Sequence, residues 1–394
     1  MFQPLKGVKV IDLSQVLAGP YATYLLALMG AEVIKIEKPG EGDWTRTNGS
    51  EADLSARKMG LGFMAQNAGK KSVELDLKSP AGLSAVKELI SDAAIFVENF
   101  KPGVIGRLGL GFDAVREINP CIVYCSISAF GQDGPLSARP AYDHIIQGMC
   151  GIMKTTGKPG GGPNKVGAPY VDYATGMNGA MAIMAGLMEV SRTGKAVHLD
   201  VAMLDTAMHL MASLVTQQMS SDWVPVANGN EAWSASPSSG AFETADGTLM
   251  LAANNERQFR NLCEAIGRRD ILKDPRWADA STRKANGGAL RETLVESFLT
   301  GTAQEWETIL SNATVPAARI RGLDEVLNED HLRERGLTST TMVPGHDRPV
   351  HVVNLSFKAN GEVAAPRRPA AGLGADTRDI LAAGQRTIRD ERAG

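Results

Sequence analysis

A chain of 394 residues, 43% apolar and 22% charged, has the length for two domains and the balance of an ordinary soluble globular protein. Its formal net charge of −3 gives no electrostatic pull toward nucleic acid or an anionic membrane, so neither is expected as a partner. Four cysteines (Cys121, Cys125, Cys150 and Cys263) are too few and too scattered for a disulfide framework, and a reducing cytoplasm is the expected location.

The opening "MFQPLKGVKVIDL" runs straight into a strand pattern, so no signal peptide is expected. "GVKVIDL" reads as a buried strand, Pro20 to Leu28 as a helix opened by proline, and "AEVIKIE" as a second strand. "KSVELDL" follows, then "SPAGLSAVKELISDA", a helix with Ser79 as N-cap and Pro80 in its first turn. "AIFVENF" and "CIVYCSISAF" are further strands, separated by "DAVREIN". Such alternation predicts a mostly parallel, doubly wound sheet. From Pro169 to about Gln217 the pattern is helical, broken by "RTGKAVHLDVAMLD", whose middle reads as a strand. Within it, "YATGMNGAMAIMAGLMEV" is apolar over about 18 positions, near the lower limit for a membrane span. Asn178, three glycines and the flanking Asp172 and Glu189 favour a helix packed inside the protein instead.

"SSDWVPVANGNEAWSASPSSG" has the composition of a boundary loop. "GAFETADGTLMLAA" predicts a hairpin turning at Asp246 and Gly247, and "ERQFRNLCEAIG", "GALRETLVESFL" and "TAQEWETILSN" predict helices. The tail reads as a hairpin, "TSTTMVPGHDRPVHVVNLSF", and then a proline-rich arm, "APRRPAAGLGADTRDILAAG", leading to a short helix. The expected fold class is α/β: an open, doubly wound, Rossmann-like large domain over residues 1–220, a smaller α+β domain over 221–325, and a return to the large domain over 326–394.

Chemistry-bearing residues gather at a few turns. "VIDLSQVLAGPYATYLL" lies where a dinucleotide fold holds its pyrophosphate, but only Gly19 falls in the turn and G-x-G-x-x-G is missing. Ser14 to Gly19 are therefore either a site for another anion or a plain loop. Glu37, beside Lys35 and Lys38, is either part of a phosphate site or a solvated strand end. In "VENFKPGVIGRLGLG", Asn99 can bond a ligand amide or base and Arg107 can grip a phosphate; surface loop residues are the plainer reading. No serine or cysteine forms a readable triad with any of the six histidines, His144 alone lies near polar candidates, and no metal site is expected. Asp172, in "GAPYVDYATG", is either an N-cap for Ala174 or Thr175, or a nucleophile shielded by Tyr170 and Tyr173. Gly176 and Gly179 would leave room beside it.

Taken together, "LKGVKVIDLSQVLAGPYAT", "LGAEVIKIEKPGEGD", "NAGKKSVELDLKSPAG", "FVENFKPGVIGRLGLG", "AYDHIIQGMCGIM", "VDYATGMNGAMAIMAGL" and "RTGKAVHLDVAMLD" resemble the family III CoA-transferases, which include formyl-, carnitine- and bile-acid CoA-transferases. The likeness spans nearly the whole chain. It implies that Asp172 is the nucleophile and that Val16 and Leu17 lie beside the thiol end of coenzyme A. It further implies that Lys38, Leu75, Asn99, Phe100 and Arg107 hold the adenosine and phosphates, with Tyr142 and Asp143 near the reacting centre. An interlocked homodimer is implied, with coenzyme A as a substrate and no tightly bound cofactor.

The implied reaction moves CoA from an acyl-CoA to a free acid, such as succinate, through acyl-aspartyl anhydride and aspartyl-CoA intermediates. An aspartate with an ordinary pKa of about 3.9 is ionised at neutral pH yet a weak nucleophile in water. One alternative is an α-methylacyl-CoA racemase on the same fold, whose branch places a histidine before the aspartate of an "HD" pair. Here that position is Tyr142, with His144 beyond Asp143, which argues for transfer. A non-catalytic CoA-binding protein is the other. Leu17 and "SASPSSGAF" depart from the oxalate-using branch, so oxalate is not expected as the acid.

Overall fold

The computed structural model describes residues 2–382. Strands β1 (Lys9–Asp12), β2 (Glu32–Glu37), β3 (Lys71–Glu74), β4 (Ile95–Glu98), β5 (Val123–Ser128) and β6 (Val197–Ala202) form one sheet in the order β3-β2-β1-β4-β5-β6. Every neighbouring pair is parallel. The helices that cover it or carry the site are α1 (Ala18–Leu28), α2 (Pro80–Ser91), α3 (Phe112–Ile118), α4 (Asp143–Cys150), α5 (Tyr170–Thr193) and α6 (Met203–Leu210).

Both faces of a parallel sheet are buried, which explains the unbroken apolar strands. Ile11, Ile34, Phe96 and Tyr124 face α2 and α3, meeting Val86, Leu89, Ile90 and Val115. Val10, Val33, Val97 and Cys125 face the other way, with Ala22 and Leu26 of α1 and Ala180 and Ile183 of α5. Cys125 is thus a core residue, and burial pushes its thiol up. α2 starts as its sequence predicts, with Ser79 Oγ accepting from Gly82 N at 3.0 Å.

α1 and α5 pack closely, and Gly176 is the reason. A Cβ there would stand 2.8 Å from the Ala18 carbonyl oxygen and 2.9 Å from the Tyr21 ring. The space expected beside Asp172 for a ligand is therefore filled by α1. No helix among the described residues is long and apolar enough to cross a membrane.

The chain divides into two compact units: Met1–Met153, Lys165–Val224 and Asp330–Gly394 form one, Lys154–Asn164 and Pro225–Glu329 the other. In the second, β7 (Ser239–Glu243), β8 (Thr248–Ala252) and β9 (Ala317–Arg319) make an antiparallel sheet whose first turn spans residues 244–247. Phe242, Leu251, Phe259, Leu262, Leu294, Phe298 and Trp306 form its core. In the first unit, Thr338–Thr341 pairs antiparallel with Val350–Val353, the hairpin read from the tail. The short helix expected at the end of the arm occupies residues 377–382, and its last two expected positions lie outside the described residues.

In the large sheet the chain runs outward from β1 to β3 and returns to β4 on the opposite side of β1. The loops after β1 and β4 diverge there, and the crevice between them is where open α/β sheets bind ligands. Both candidate loops from the sequence, Ser14–Gly19 and Asn99–Arg107, begin at that point.

Candidate active site

The loop after β1 is held in a costly shape. Val16 has φ +74°, a left-handed conformation that a β-branched residue adopts only under constraint, at about 1–3 kcal/mol. Its N–H donates to Asp43 Oδ2 at 3.1 Å and its carbonyl accepts from Gln66 Nε2 at 3.0 Å. Beside it, Gln15 N donates to Asn99 Oδ1 at 2.8 Å, and Asn99 Nδ2 donates to the Gln15 carbonyl at 2.7 Å. Asn99 lines the cleft and at the same time clamps this loop, keeping one N–H and one lone pair of its amide beyond these two bonds. Gly19 has a matching role: a Cβ there would collide with Ser14.

Beneath the loop lies a buried ionic network. Asp12 accepts from Ser14 N at 2.9 Å, Thr23 Oγ1 at 2.7 Å and Lys70 Nζ at 3.1 Å. Lys35 Nζ donates to the Ser14 carbonyl at 2.6 Å and pairs with Asp43 at 3.2 Å. Glu37 takes two bonds from Arg46, each 2.7 Å, and one from Ser72 Oγ at 2.7 Å. Arg46 also donates to the Lys58 and Ala371 carbonyls and lies 3.7 Å over the Phe63 ring. Glu37 and Lys35 are therefore scaffold for the loop, and neither is free for a ribose or phosphate. Both of the readings offered for them are superseded, because burial demands that each charge be paired.

Asp172 sits on the first turn of α5, which opens at Tyr170. Its side chain caps nothing. The cap comes from α4: Asp143 Oδ2 accepts from Val171 N at 2.8 Å and from Asp172 N at 3.1 Å. Gln147 Nε2 steadies Asp143 at 2.5 Å, and Gln147 Oε1 takes Val166 N at 2.8 Å. With the capping work done by Asp143, the Asp172 carboxylate is left without a hydrogen-bond donor among the described residues. Burial, and secondly the negative charge of Asp143, push its pKa up to about 7. This replaces the ordinary value expected from the sequence, and it gives the carboxylate more basicity as a nucleophile than a solvated aspartate has.

Tyr173, next to Asp172 on α5, packs edge-on against Tyr21 of α1, with ring centroids 4.8 Å apart. Tyr142 is 60% exposed and stacks loosely with His144. The buried Tyr170 hydroxyl has no partner among the described residues.

A cleft of about 330 Å³ joins Val16, Leu17, Asn99, Phe100, Tyr142 and Asp172, six of the residues singled out from the sequence. Lys101 and Arg139 add positive charge to its wall. A second cleft of about 270 Å³ holds Lys38 and Leu75, with Lys78, Val104 and Leu108, and shares Gln15 and Phe100 with the first. The first carries the Asp172 carboxylate; the second has apolar walls with Lys38 and Lys78 alongside Glu37 and Asp76. Asp143 lines neither cleft and acts from behind through the Asp172 backbone; Arg107 lines neither and is exposed on the short helix Val104–Arg107. Among the described residues, no three His, Cys, Asp or Glu side chains gather as metal ligands.

The sequence reading passed over Asp43, Gln66, Lys70 and Arg139. Lys70 lies inside "NAGKKSVELDL", but nothing local to that string reports that it reaches Asp12.

A reaction that uses the ionised Asp172 is expected to lose kcat/KM below about pH 7, with one proton governing the acid limb. A pH–rate profile between pH 5 and 9 checks this; a flat profile down to about pH 5 contradicts it.

The profile of the family described as "CoA-transferase family III" matches residues 5–377. The chain is 36% identical to a succinate–glutarate CoA-transferase of Agrobacterium fabrum, over 96% of this chain and 95% of that one. It is 34% identical to a succinyl-CoA:mesaconate CoA-transferase of Haloarcula hispanica, over 92% and 91%. A crystal structure of a CAIB/BAIF family protein from Brucella suis superposes with a TM-score of 0.85 at 32% identity, covering 98% of this chain and all of that one.

Proposed function

This chain belongs to CoA-transferase family III, and we propose that it moves coenzyme A from an acyl-CoA to a dicarboxylic acid through covalent intermediates on Asp172. The observation that carries the reading is the state of that carboxylate: partly buried, free of donors, raised to about 7 and set in the cleft at the sheet's switch point. The relatives named for succinate, glutarate and mesaconate support small dicarboxylic acids as the exchanged substrates.

The chemistry proceeds by four exchanges of one anion for another. Ionised Asp172 attacks the acyl-CoA carbonyl; the C–S bond breaks, leaving an acyl–aspartyl anhydride and CoA thiolate. The thiolate attacks the aspartyl carbonyl, forming aspartyl-CoA and releasing the first acid as its carboxylate. The acceptor carboxylate attacks that thioester, giving a second anhydride and thiolate again. Attack of the thiolate on the acceptor's acyl carbonyl yields the new acyl-CoA and restores Asp172. No step needs a proton, so the site requires no general acid beside the nucleophile. It does require that water be kept from the anhydrides, and the clamped Val16 loop, which lines the cleft, serves that end.

In this reading the second cleft takes the nucleotide end of coenzyme A. Leu75, Phe100 and Leu108 offer apolar surface for the base, Lys38 and Lys78 are there for phosphates, and Arg107 ends the short helix between Val104 and Leu108 of that cleft. The cytoplasm as location and an interlocked homodimer belong to the same proposal. Tyr142 in place of the racemase-branch histidine favours transfer over racemisation.

Incubation with succinyl-CoA and a panel of mono- and dicarboxylic acids, read by mass spectrometry, tests it. New CoA thioesters of dicarboxylic acids are expected. Epimerisation of a 2-methylacyl-CoA with no exchange would transfer the assignment to the racemase reading; binding without either reaction would leave a carrier.

A further inference from the structure

We propose that Arg139 selects the acid, its guanidinium gripping the second carboxylate of a dicarboxylate whose first carboxylate reacts at Asp172; this rests on the transferase reading above. Arg139 lines the cleft that holds Asp172 and is absent from the cleft that holds Lys38 and Leu75. Lys101, the other cation of the Asp172 cleft, is likewise absent from the second cleft. Of the two, Arg139 is the one on the segment that leads into Asp143, whose carboxylate caps the helix of Asp172.

Its charge is uncommitted. Lys35, Arg46 and Lys70, the buried cations of this unit, are each paired with a carboxylate. Arg139 has no carboxylate partner among the described residues, and its one side-chain neighbour of note is the Phe130 ring, 5.9 Å from the guanidinium carbon. A guanidinium resting near an aromatic face keeps its N–H fork available for a bidentate carboxylate.

The loop that carries it is braced. The Ala129 carbonyl accepts from Leu204 N at 3.1 Å, Gly131 N donates to Ser128 Oγ at 2.9 Å, and Gln132 N donates to Asp200 Oδ2 at 2.7 Å. Arg139 N then donates to the Leu136 carbonyl at 2.9 Å. Four residues later comes Asp143, whose carboxylate holds the Asp172 N–H. Arg139 and the Asp143 that holds the nucleophile's helix are thus at most about 15 Å apart along the chain, Cα to Cα.

Electrostatics supplies the need. The acceptor acid attacks a neutral aspartyl-CoA thioester, but an unreacted second carboxylate brings a further negative charge into a cleft partly removed from water. A cation in the wall of that cleft offsets this charge and favours acids that carry it.

The test compares succinate with its monoamide, succinamate, as acceptors for the wild type, Arg139→Gln and Arg139→Lys. The wild type should prefer succinate by roughly 30-fold or more in kcat/KM, the worth of a charged hydrogen-bond pair. In Arg139→Gln that preference should fall to within about 3-fold of unity through the KM of succinate, and Arg139→Lys should recover part of it. Coenzyme A affinity, measured by equilibrium binding, should stay within about 2-fold of wild type. A preference that survives in Arg139→Gln, or a coenzyme A affinity that falls with it, overturns the role for Arg139. A wild type that thioesterifies neither acid overturns the transferase reading beneath it.

Discussion

Replacing Asp172 with alanine or asparagine should remove CoA transfer altogether, by at least about 10⁴-fold in kcat, while leaving coenzyme A binding intact. The size follows from the proposed role. Every one of the four exchanges breaks or makes a bond at this carboxylate, so no residual route exists once it is gone. Binding should survive because the apolar, lysine-flanked cleft contains no part of Asp172. A second readout separates this from simple damage. The folded-state pKa is raised, to about 7 from 3.8, so between those values the native protein binds more protons than the unfolded chain. Stability contributed by the protonated form is therefore lost as pH rises through that window, and above it the native state carries the full cost of the desolvated charge. Asp172→Asn removes the titration. That variant should be no less stable than wild type at pH 8, and its stability should decline less between pH 5 and 8. Denaturant titrations at the two pH values check it.

The second large effect concerns stability. Arg46→Met keeps much of the side chain's volume but leaves Glu37 buried with the Ser72 hydroxyl and the Asp43 N–H as its donors and no bidentate guanidinium. Breaking a buried pair from one side costs about 3–5 kcal/mol, well beyond an ordinary surface substitution. Here the loss also reaches the Lys58 and Ala371 carbonyls, so the tail segment near Ala371 loses a tie to the sheet. Adding Glu37→Gln to Arg46→Met should restore part of the loss, because the uncompensated charge is then gone. Urea denaturation of the single and double variants gives the coupling. Equal stability for wild type and Arg46→Met would mean that the network is not the support of the Val16 loop described above.

Much of the fold was legible because it depends on short-range signals. Apolar strands alternating with capped helices predict a parallel sheet, and Ser79 and Pro80 announce α2 before any packing is known. The hairpins near Asp246 and in the tail follow from turn residues between alternating segments. Of the candidate site, six residues drawn from four separate stretches of sequence do line one cleft. What escaped the sequence is long-range. Asp143 and Asp172 are 29 residues apart, and which of them caps α5 depends on how α4 meets it. The local pattern around Asp172 fits a cap as well as a nucleophile, and only the placement of Asp143 separates the two. The purpose of Gly176 was similarly hidden: the string shows a small residue, and the structure shows α1 against it. Asn99, Glu37 and Lys35 carry polar groups suited to ligands, yet all three bond to a loop or network whose partners lie far away in sequence. Polar residues at strand ends announce chemistry, but whether that chemistry serves a ligand or the scaffold is decided by which carbonyls and charges fold beside them.

The most direct measurement is to quench the enzyme during turnover with hydroxylamine and locate the product by peptide mass spectrometry. The account predicts a hydroxamate on the Asp172 side chain that forms only when an acyl-CoA is present and is missing from Asp172→Asn. Normal turnover with no adduct at Asp172, or with the adduct on a different residue, would contradict it.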